Sequence, residues 1–118
     1  MRTDTADRGT GGVARYSHER GFIPRLGFFA GHEAQIPYDY DELVASIAPR
    51  PVLVMQPQLD RDATPGEVKS AVEQARKVYS LYGAADRLAL YDPWDYNRLP
   101  DNSQDWVIQW MGRNLVAK

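Results

Sequence analysis

Short apolar runs and longer stretches with helical spacing alternate along the second half of the chain. Every residue of the run 51–55 is apolar, which is typical of a strand covered on both faces in a parallel sheet. Residues 87–91, Arg-Leu-Ala-Leu-Tyr, predict a second strand. The chain between the two runs has the spacing of a helix, so the pattern predicts a strand–helix–strand unit with parallel strands.

The helix between the two strands has the clearest boundaries in the sequence. Thr64 is the expected N-cap, Pro65 occupies the first helical position, and Glu67 stands where it completes a capping box. Gly83 stands where a glycine commonly ends a helix. Apolar residues recur at intervals of three and four and predict the buried face. They are Val68, Ala71, Val72, Ala75, Val78, Tyr79 and Tyr82.

Two further helices are predicted outside this unit. Asp39 and Glu42 have capping-box spacing before an apolar segment, and Pro49 ends that helix. Asp101 and Gln104 have the same spacing at the start of a C-terminal helix. Its predicted buried face consists of Val107, Trp110, Met111 and Leu115, with Trp106 at the margin.

These elements predict one α/β domain over residues 13–118, a β-α-β-α unit with parallel strands flanked by helices and an irregular N-terminal segment. Residues 1–12 are polar, end in glycines, and are expected to form a flexible arm. Residues 21–31 are apolar and aromatic but are interrupted by glycine and proline, which predicts a buried loop with at most a short strand. The length of 118 residues suits one domain with a real core.

Composition and charge narrow the functional classes. The net charge is −2 at neutral pH, so no basic surface is expected for a nucleic acid or an anionic membrane. No apolar run approaches the roughly 20 residues that span a bilayer, and the charged N-terminus is unlike a secretory signal, so a soluble chain of unassigned compartment is expected. The chain has no cysteine, which excludes disulfides and thiolate nucleophiles. The glycines form no phosphate-binding fingerprint and neither histidine has a partner at metal-ligand spacing, so no cofactor or metal is expected.

Four segments carry a resemblance to a known family. They are Ile36-Pro37-Tyr38-Asp39-Tyr40-Asp41-Glu42-Leu43, Ile47-Ala48-Pro49-Arg50-Pro51-Val52-Leu53-Val54, Leu59-Asp60-Arg61-Asp62 and Asp95-Tyr96-Asn97-Arg98. From about residue 21 to residue 110 the chain resembles the C-terminal part of bacterial α/β-hydrolases, near the carboxylesterase, acetyl xylan esterase and dienelactone hydrolase group. The resemblance implies a partial α/β-hydrolase fold and chemistry on carboxylic esters.

The resemblance also implies a catalytic acid just past the first predicted strand. In this family the chain order is nucleophile, acid, histidine, and Asp60 stands at the acid position. There it would orient an imidazole and stabilise its charged form. Asp62 is a second candidate for the same role. Aspartates that follow strands also cap turns and helices, so a purely structural role for Asp60 is the alternative.

The other members of the family's catalytic triad are not found in the sequence. No Gly-x-Ser-x-Gly motif occurs, and Trp94 and Asp95 stand where the histidine is expected after the second strand. An aspartate is a poor replacement for an imidazole base at neutral pH. His18, next to Ser17, is a candidate base from the N-terminal segment, whereas His32 is expected in a solvated turn.

Two functional hypotheses therefore remain open. In the first, the protein is related to carboxylic ester hydrolases, acts on small esters if active, and is incomplete as a stand-alone catalyst. In the second, it is a non-catalytic oligomeric scaffold or a small-molecule binding module derived from a hydrolase. Two strands leave open edges and bare apolar surface, so we expect association, either as a homo-oligomer or with a missing N-terminal hydrolase half.

Overall fold

The computed structural model describes residues 26–61 and 63–115. These residues fall into two compact units, the first ending at Tyr40 and the second beginning at Asp41. The predicted flexible arm at residues 1–12 lies outside the described residues, as do His18 and Asp62.

The described part of the first unit consists of short helical turns. Two 3-10 helices, Leu26–Phe29 and Glu33–Gln35, surround a small core in which Leu26 and Ile36 are buried against Phe29 and Tyr38. Residues 26–31, the described part of the predicted buried loop, are only partly buried, because Phe28 is 80% exposed.

Three α-helices and two strands follow within the described residues, and all but the first residue of the first helix lie in the second unit. In chain order they are α1 (Tyr40–Ala45), β1 (Val52–Met55), α2 (Pro65–Leu81), β2 (Leu88–Tyr91) and α3 (Asp101–Asn114). The two strands pair in parallel, with Val52 opposite Leu88 and Met55 opposite Tyr91. The mixed α/β class and the parallel pair predicted from the sequence are confirmed.

The core of the second unit lies between α2 and one face of the sheet. Val72, Ala75 and Tyr79 of α2 are buried with Ala84 and Leu88. Alternate strand residues pack against this cluster, namely Val52, Val54 and Leu90. The Tyr79 hydroxyl also donates a hydrogen bond of 2.9 Å to the Arg50 carbonyl, which ties α2 to the segment before β1.

The strands are less buried than their sequence predicts. All four residues of β1 are half-buried in the described part of the chain. Side chains alternate between the two faces of a strand, so Tyr91 faces away from Leu88, Leu90 and the α2 side. On this second face α3 supplies a contact near the end of β2, where the Trp106 ring stacks on Tyr91 with centroids 4.2 Å apart. The prediction that β1 is covered on both faces is wrong for the described residues.

The C-terminus of α2 ends as the sequence predicts. Gly83 has φ of 65° and follows the C-cap residue Tyr82. The Gly83 N–H donates to the Ser80 carbonyl at 3.0 Å and the Ala84 N–H donates to the Tyr79 carbonyl at 3.0 Å, which is the Schellman pattern. Ala84 then packs in the same cluster as Tyr79, so the chain turns directly into the core.

The N-termini of α2 and α3 differ from the predicted capping boxes. Thr64 is the N-cap of α2, but its side chain makes no capping hydrogen bond, and its carbonyl accepts the N–H groups of Glu67 and Val68 instead. In α3 the N-cap is Pro100, so Asp101 is already helical and cannot cap through its side chain as predicted. Gln104 instead donates from Nε2 to the Leu99 carbonyl at 2.9 Å.

Helix α1 is shorter than predicted and stops at Ala45. Beyond it, the Ile47 N–H bonds to the Val44 carbonyl and the Ala48 N–H bonds to the Ala45 carbonyl, so each bond spans three residues. This spacing tightens the chain into turns before Pro49 is reached.

The buried face of α3 also differs from the prediction. Ser103 and Trp110 are buried, and Trp106 stacks on Tyr91, while Met111 is 46% exposed and Leu115 is 51% exposed. The Ser103 Oγ also lies 3.3 Å from the Tyr91 hydroxyl, within hydrogen-bond distance. These two contacts with Tyr91 fix the rotation of the helix, and Met111 then points about 100° away from Trp110.

Two glycines allow a matched test of the α2 terminus. We expect Gly83→Ala to lower the free energy of unfolding by about 1 kcal/mol, because alanine at a φ of 65° is strained although no atom crowds its Cβ. Gly112→Ala, within α3 and equally uncrowded, should raise the free energy of unfolding by up to about 1 kcal/mol. Urea unfolding measures both, and equal shifts for the two variants would contradict the assigned turn.

Candidate functional site

The loops that follow β1 and β2 lie side by side at the carboxyl end of the sheet. The Gln56 N–H donates to the Tyr91 carbonyl at 2.9 Å, the Gln58 N–H to Pro93 at 2.9 Å, and the Leu59 N–H to Asp95 at 3.0 Å. The parallel pairing is thereby prolonged past both strands. In open α/β sheets this edge is where ligands bind.

Asp60 lies in the middle of the first of these loops, between β1 and α2. Its N–H donates to the Pro57 carbonyl at 3.2 Å, which closes a tight turn, and the residue is half-buried. The adjacent Leu59 is bonded to Asp95, so the structure brings the loop of the predicted acid against the loop of the expected histidine position. The role of Asp60 as a catalytic acid stays a prediction.

Asp95 is held by an ion pair within its own loop. Its Oδ1 accepts a hydrogen bond of 2.7 Å from Arg98 Nε and one of 2.8 Å from the Tyr96 N–H. The bond from Arg98, and after it the bond from Tyr96, lowers the pKa of the Asp95 carboxyl below its ordinary value. A general base at neutral pH needs a pKa near 7, so this carboxylate is tuned away from that task.

His32 is a histidine within the described residues, and it lies in a turn of the first unit. Its N–H donates to the Phe29 carbonyl at 2.8 Å. The neighbouring Glu33 accepts a hydrogen bond of 2.8 Å from the Gly31 N–H, which lowers the Glu33 pKa. Among residues 26–61 and 63–115 no group of three acidic or histidine side chains is placed to hold a metal ion.

An open depression of about 230 Å³ lies beside the paired loops. It is lined by residues at the carboxyl end of the strands and by the first turns of α2: Gln56, Gln58, Pro65, Gly66, Lys69, Leu90 and Asp92. Amide, ammonium and carboxylate groups surround it, so it suits a small ligand that both donates and accepts hydrogen bonds. Its volume is below the roughly 300–1,000 Å³ of clefts that hold drug-sized ligands.

The positions of Gln56 and Gln58 at the paired loops were not predicted from the sequence. Gln56 is only 4% exposed, and its Nε2 donates to the Pro57 carbonyl at 3.0 Å. Gln58 donates from Nε2 to the Asp92 carbonyl at 2.9 Å, across the two loops. Both side chains bond to main-chain carbonyls, and no residue spacing in a sequence reports such a partner.

No helix within the described residues combines the length and the apolar character that crossing a bilayer requires.

Comparison with known proteins defines the family. A family model described as glucuronyl esterase of fungi matches residues 8–83, which is well over half of the chain. The chain therefore belongs to this family of carbohydrate esterases, whose proteins are hydrolases of the α/β type. The predicted resemblance to esterase-like hydrolases is confirmed, and the family that matches is one described from fungi. The match includes Asp60 and ends at Gly83, before the loop of Asp95.

No curated protein matches the chain, and no solved structure matches it.

The Asp95–Arg98 pair makes a testable prediction about titration. Removing the guanidinium in Arg98→Gln should raise the Asp95 pKa towards its ordinary value of 3.8, because the largest cause of the lowering is lost. Carboxyl carbon NMR measures this pKa directly. Since the folded pKa is depressed, the stabilising contribution of the pair is present above the ordinary pKa and is lost as pH falls through the folded value.

Arg113→Gln is the matched control for this titration. Arg113 lies in the last turn of α3 and donates to the Gln109 carbonyl, so its loss should leave Asp95 unchanged. An Asp95 titration that is the same in Arg98→Gln and in the parent chain would show that the ion pair is absent in solution.

Proposed function

We propose that this protein is an ester hydrolase of the α/β-hydrolase type that supplies the acid side of the active site and is incomplete as a stand-alone catalyst. One observation carries the proposal: the loop of Asp60 and the loop of Asp95 are joined at the carboxyl end of a parallel sheet, through the Leu59–Asp95 bond of 3.0 Å. Membership of a glucuronyl esterase family supports the proposal that the substrate at this edge is an ester.

The proposed role of Asp60 is to orient a histidine. In the α/β-hydrolase arrangement the acid follows one strand and the histidine follows the next, so the two loops must be neighbours. Here β1 and β2 are adjacent and parallel, and the loops after them are bonded together. An imidazole held beside Asp60 would be kept in the tautomer that takes a proton from a serine.

The chain's own residues do not complete this machinery. Its sequence contains no Gly-x-Ser-x-Gly motif, and its histidines are His18 and His32. Position 95, near the expected histidine, carries a carboxylate paired with Arg98. A nucleophile must then come from another chain, such as an N-terminal hydrolase half, and a base from a further hydrolase segment or from a second copy of the chain.

Exposed apolar groups support such association. Every strand residue except the buried Leu88 is half-buried in the described part of the chain, and each strand has one neighbour there. Large apolar side chains also remain exposed, including Leu81, Trp94, Ile108 and Met111. Open strand edges and apolar surface of this kind favour pairing with further strands.

The alternative is a non-catalytic oligomeric scaffold or a small-molecule binding module. The Asp95–Arg98 pair favours it, because the loop that carries the base in an active hydrolase is here held by an ion pair. The polar depression lined by Gln56, Lys69 and Asp92 gives a binding module a place for its ligand.

An ester assay tests whether the chain is incomplete. We expect the purified chain to hydrolyse 4-nitrophenyl acetate and the methyl ester of glucuronic acid no faster than its Asp60→Asn variant. Asp86→Asn is the control, because Asp86 is exposed at the amino end of β2, at the opposite end of the sheet. Turnover that Asp60→Asn abolishes and Asp86→Asn preserves would show a complete catalyst and contradict the proposal.

A complementation assay tests whether the chain can supply the catalytic acid of an ester hydrolase. Mixing the chain with the N-terminal half of a fungal glucuronyl esterase, which carries the nucleophile, and with the segment of that enzyme that carries its histidine should give ester turnover that the Asp60→Asn variant does not give. A mixture that binds but does not turn over ester would favour the non-catalytic alternative.

Sedimentation measures the predicted association. At micromolar concentration we expect dimers or larger species, together with binding of a hydrophobic dye to the exposed apolar surface. A monomer that binds no dye would count against both the partner proposal and the oligomeric alternative.

A further inference from the structure

The side chain of Gln58 adds a fourth hydrogen bond to the three backbone hydrogen bonds that join the two loops. Gln58 is the central residue of the three, lying between the bonds of Gln56 and Leu59. Its N–H donates to the Pro93 carbonyl and its Nε2 donates to the Asp92 carbonyl, each at 2.9 Å. One residue thus binds two consecutive carbonyls of the loop after β2, although it is 34 positions from Asp92 in the chain.

This two-point attachment fixes the orientation of the loop as well as its distance. A single N–H···O bond lets the loop pivot about it, whereas two bonds from one residue to neighbouring carbonyls resist rotation. Asp60 follows two residues later within a closed turn, its N–H bonded to Pro57, so a rotation at Gln58 moves Asp60 with it.

Small displacements matter at such a site. Catalytic groups have to be held within about 0.5 Å of their productive position, and residues that do not touch the substrate provide this support. Backbone hydrogen bonds alone also occur between many loops that hold no catalytic group, so the side-chain bond of Gln58 is the distinguishing feature here.

We propose that Gln58 is a positioning residue, whose side chain sets the place of Asp60 relative to the loop after β2. The catalytic meaning of that place rests on the proposed function. The attachment itself does not, because it is defined by hydrogen bonds between described residues.

Hydrogen exchange of a single amide tests the proposal. The Leu59 N–H is bonded to the Asp95 carbonyl, so it reports opening of the two loops next to Gln58. Gln58→Met keeps the length of the side chain and removes its donor. We expect the Leu59 amide to exchange about fivefold faster in this variant, as follows from losing one hydrogen bond of ordinary strength.

The chain offers a closely matched control. Gln104 is also exposed and donates from Nε2 to a main-chain carbonyl, that of Leu99, at 2.9 Å. Gln104→Met therefore removes a bond of the same kind at the start of α3, and it should leave the Leu59 exchange rate unchanged. Gln58→Lys supplies a donor of similar reach and should restore slow exchange.

A second signal connects the attachment to Asp60 itself. The carboxyl carbon resonance of Asp60 should shift in Gln58→Met and stay in place in Gln104→Met. Unchanged exchange of Leu59 in a folded Gln58→Met variant would overturn the proposal, and so would equal acceleration by Gln104→Met. Neither readout needs ester turnover, so a failure here is distinct from a failure of the ester and complementation assays.

Discussion

The parallel pairing of β1 with β2 is the constraint on which the rest of the structure depends. Parallel strands cannot be joined by a hairpin, so a crossover must carry the chain back, and α2 does this over 17 residues. Both strands then end at the same edge. The loops of Asp60 and Asp95, far apart in sequence, meet because of this topology, and the hydrogen bonds between them follow from it.

Tyr79 shows how closely the crossover is joined to the sheet. Its side chain is fully buried among Val72, Ala75 and Leu88, and its hydroxyl bonds to the Arg50 carbonyl before β1. Its own carbonyl accepts the Ala84 N–H at the Schellman turn. The same residue thus joins the start of β1, the body of α2 and the turn towards β2, and burial raises the pKa of its phenol.

The sequence predicted those parts of the fold that depend on local signals. The helix between the strands and its end at Gly83 were correct, because the glycine at positive φ and the apolar spacing act within a few residues. The face of α3 was right for Trp110 and wrong for Met111 and Leu115, because its rotation depends on a contact of Trp106 and Ser103 with Tyr91, which the apolar pattern of one helix does not contain. The side-chain caps predicted for α2 and α3 failed for a related reason, since the carbonyl groups of Thr64 and Pro100 accept the N–H groups of the third and fourth helical residues without them.

The candidate site was predictable in its place and only partly in its chemistry. Asp60 and Asp95 lie at one edge of the sheet because each follows one of two parallel strands, which the sequence pattern shows. The bond of Gln58 to the Asp92 carbonyl has no such pattern in the sequence, because any residue supplies a carbonyl.

The two loops also differ in what they are suited to hold. The family match covers the loop of Asp60 and stops before the loop of Asp95. A carboxylate at Asp60 suits a neighbouring imidazolium, but the adjacent loop is itself shaped by an acid, Asp95, whose charge is met by Arg98 and the Tyr96 N–H. Replacing Asp95 by histidine would remove both of these bonds and leave Arg98 without its carboxylate partner. A base would therefore be more readily accommodated beside Asp60 from outside these loops than by a change within the second one, which is why the proposed association of this chain and its proposed chemistry have to be considered together.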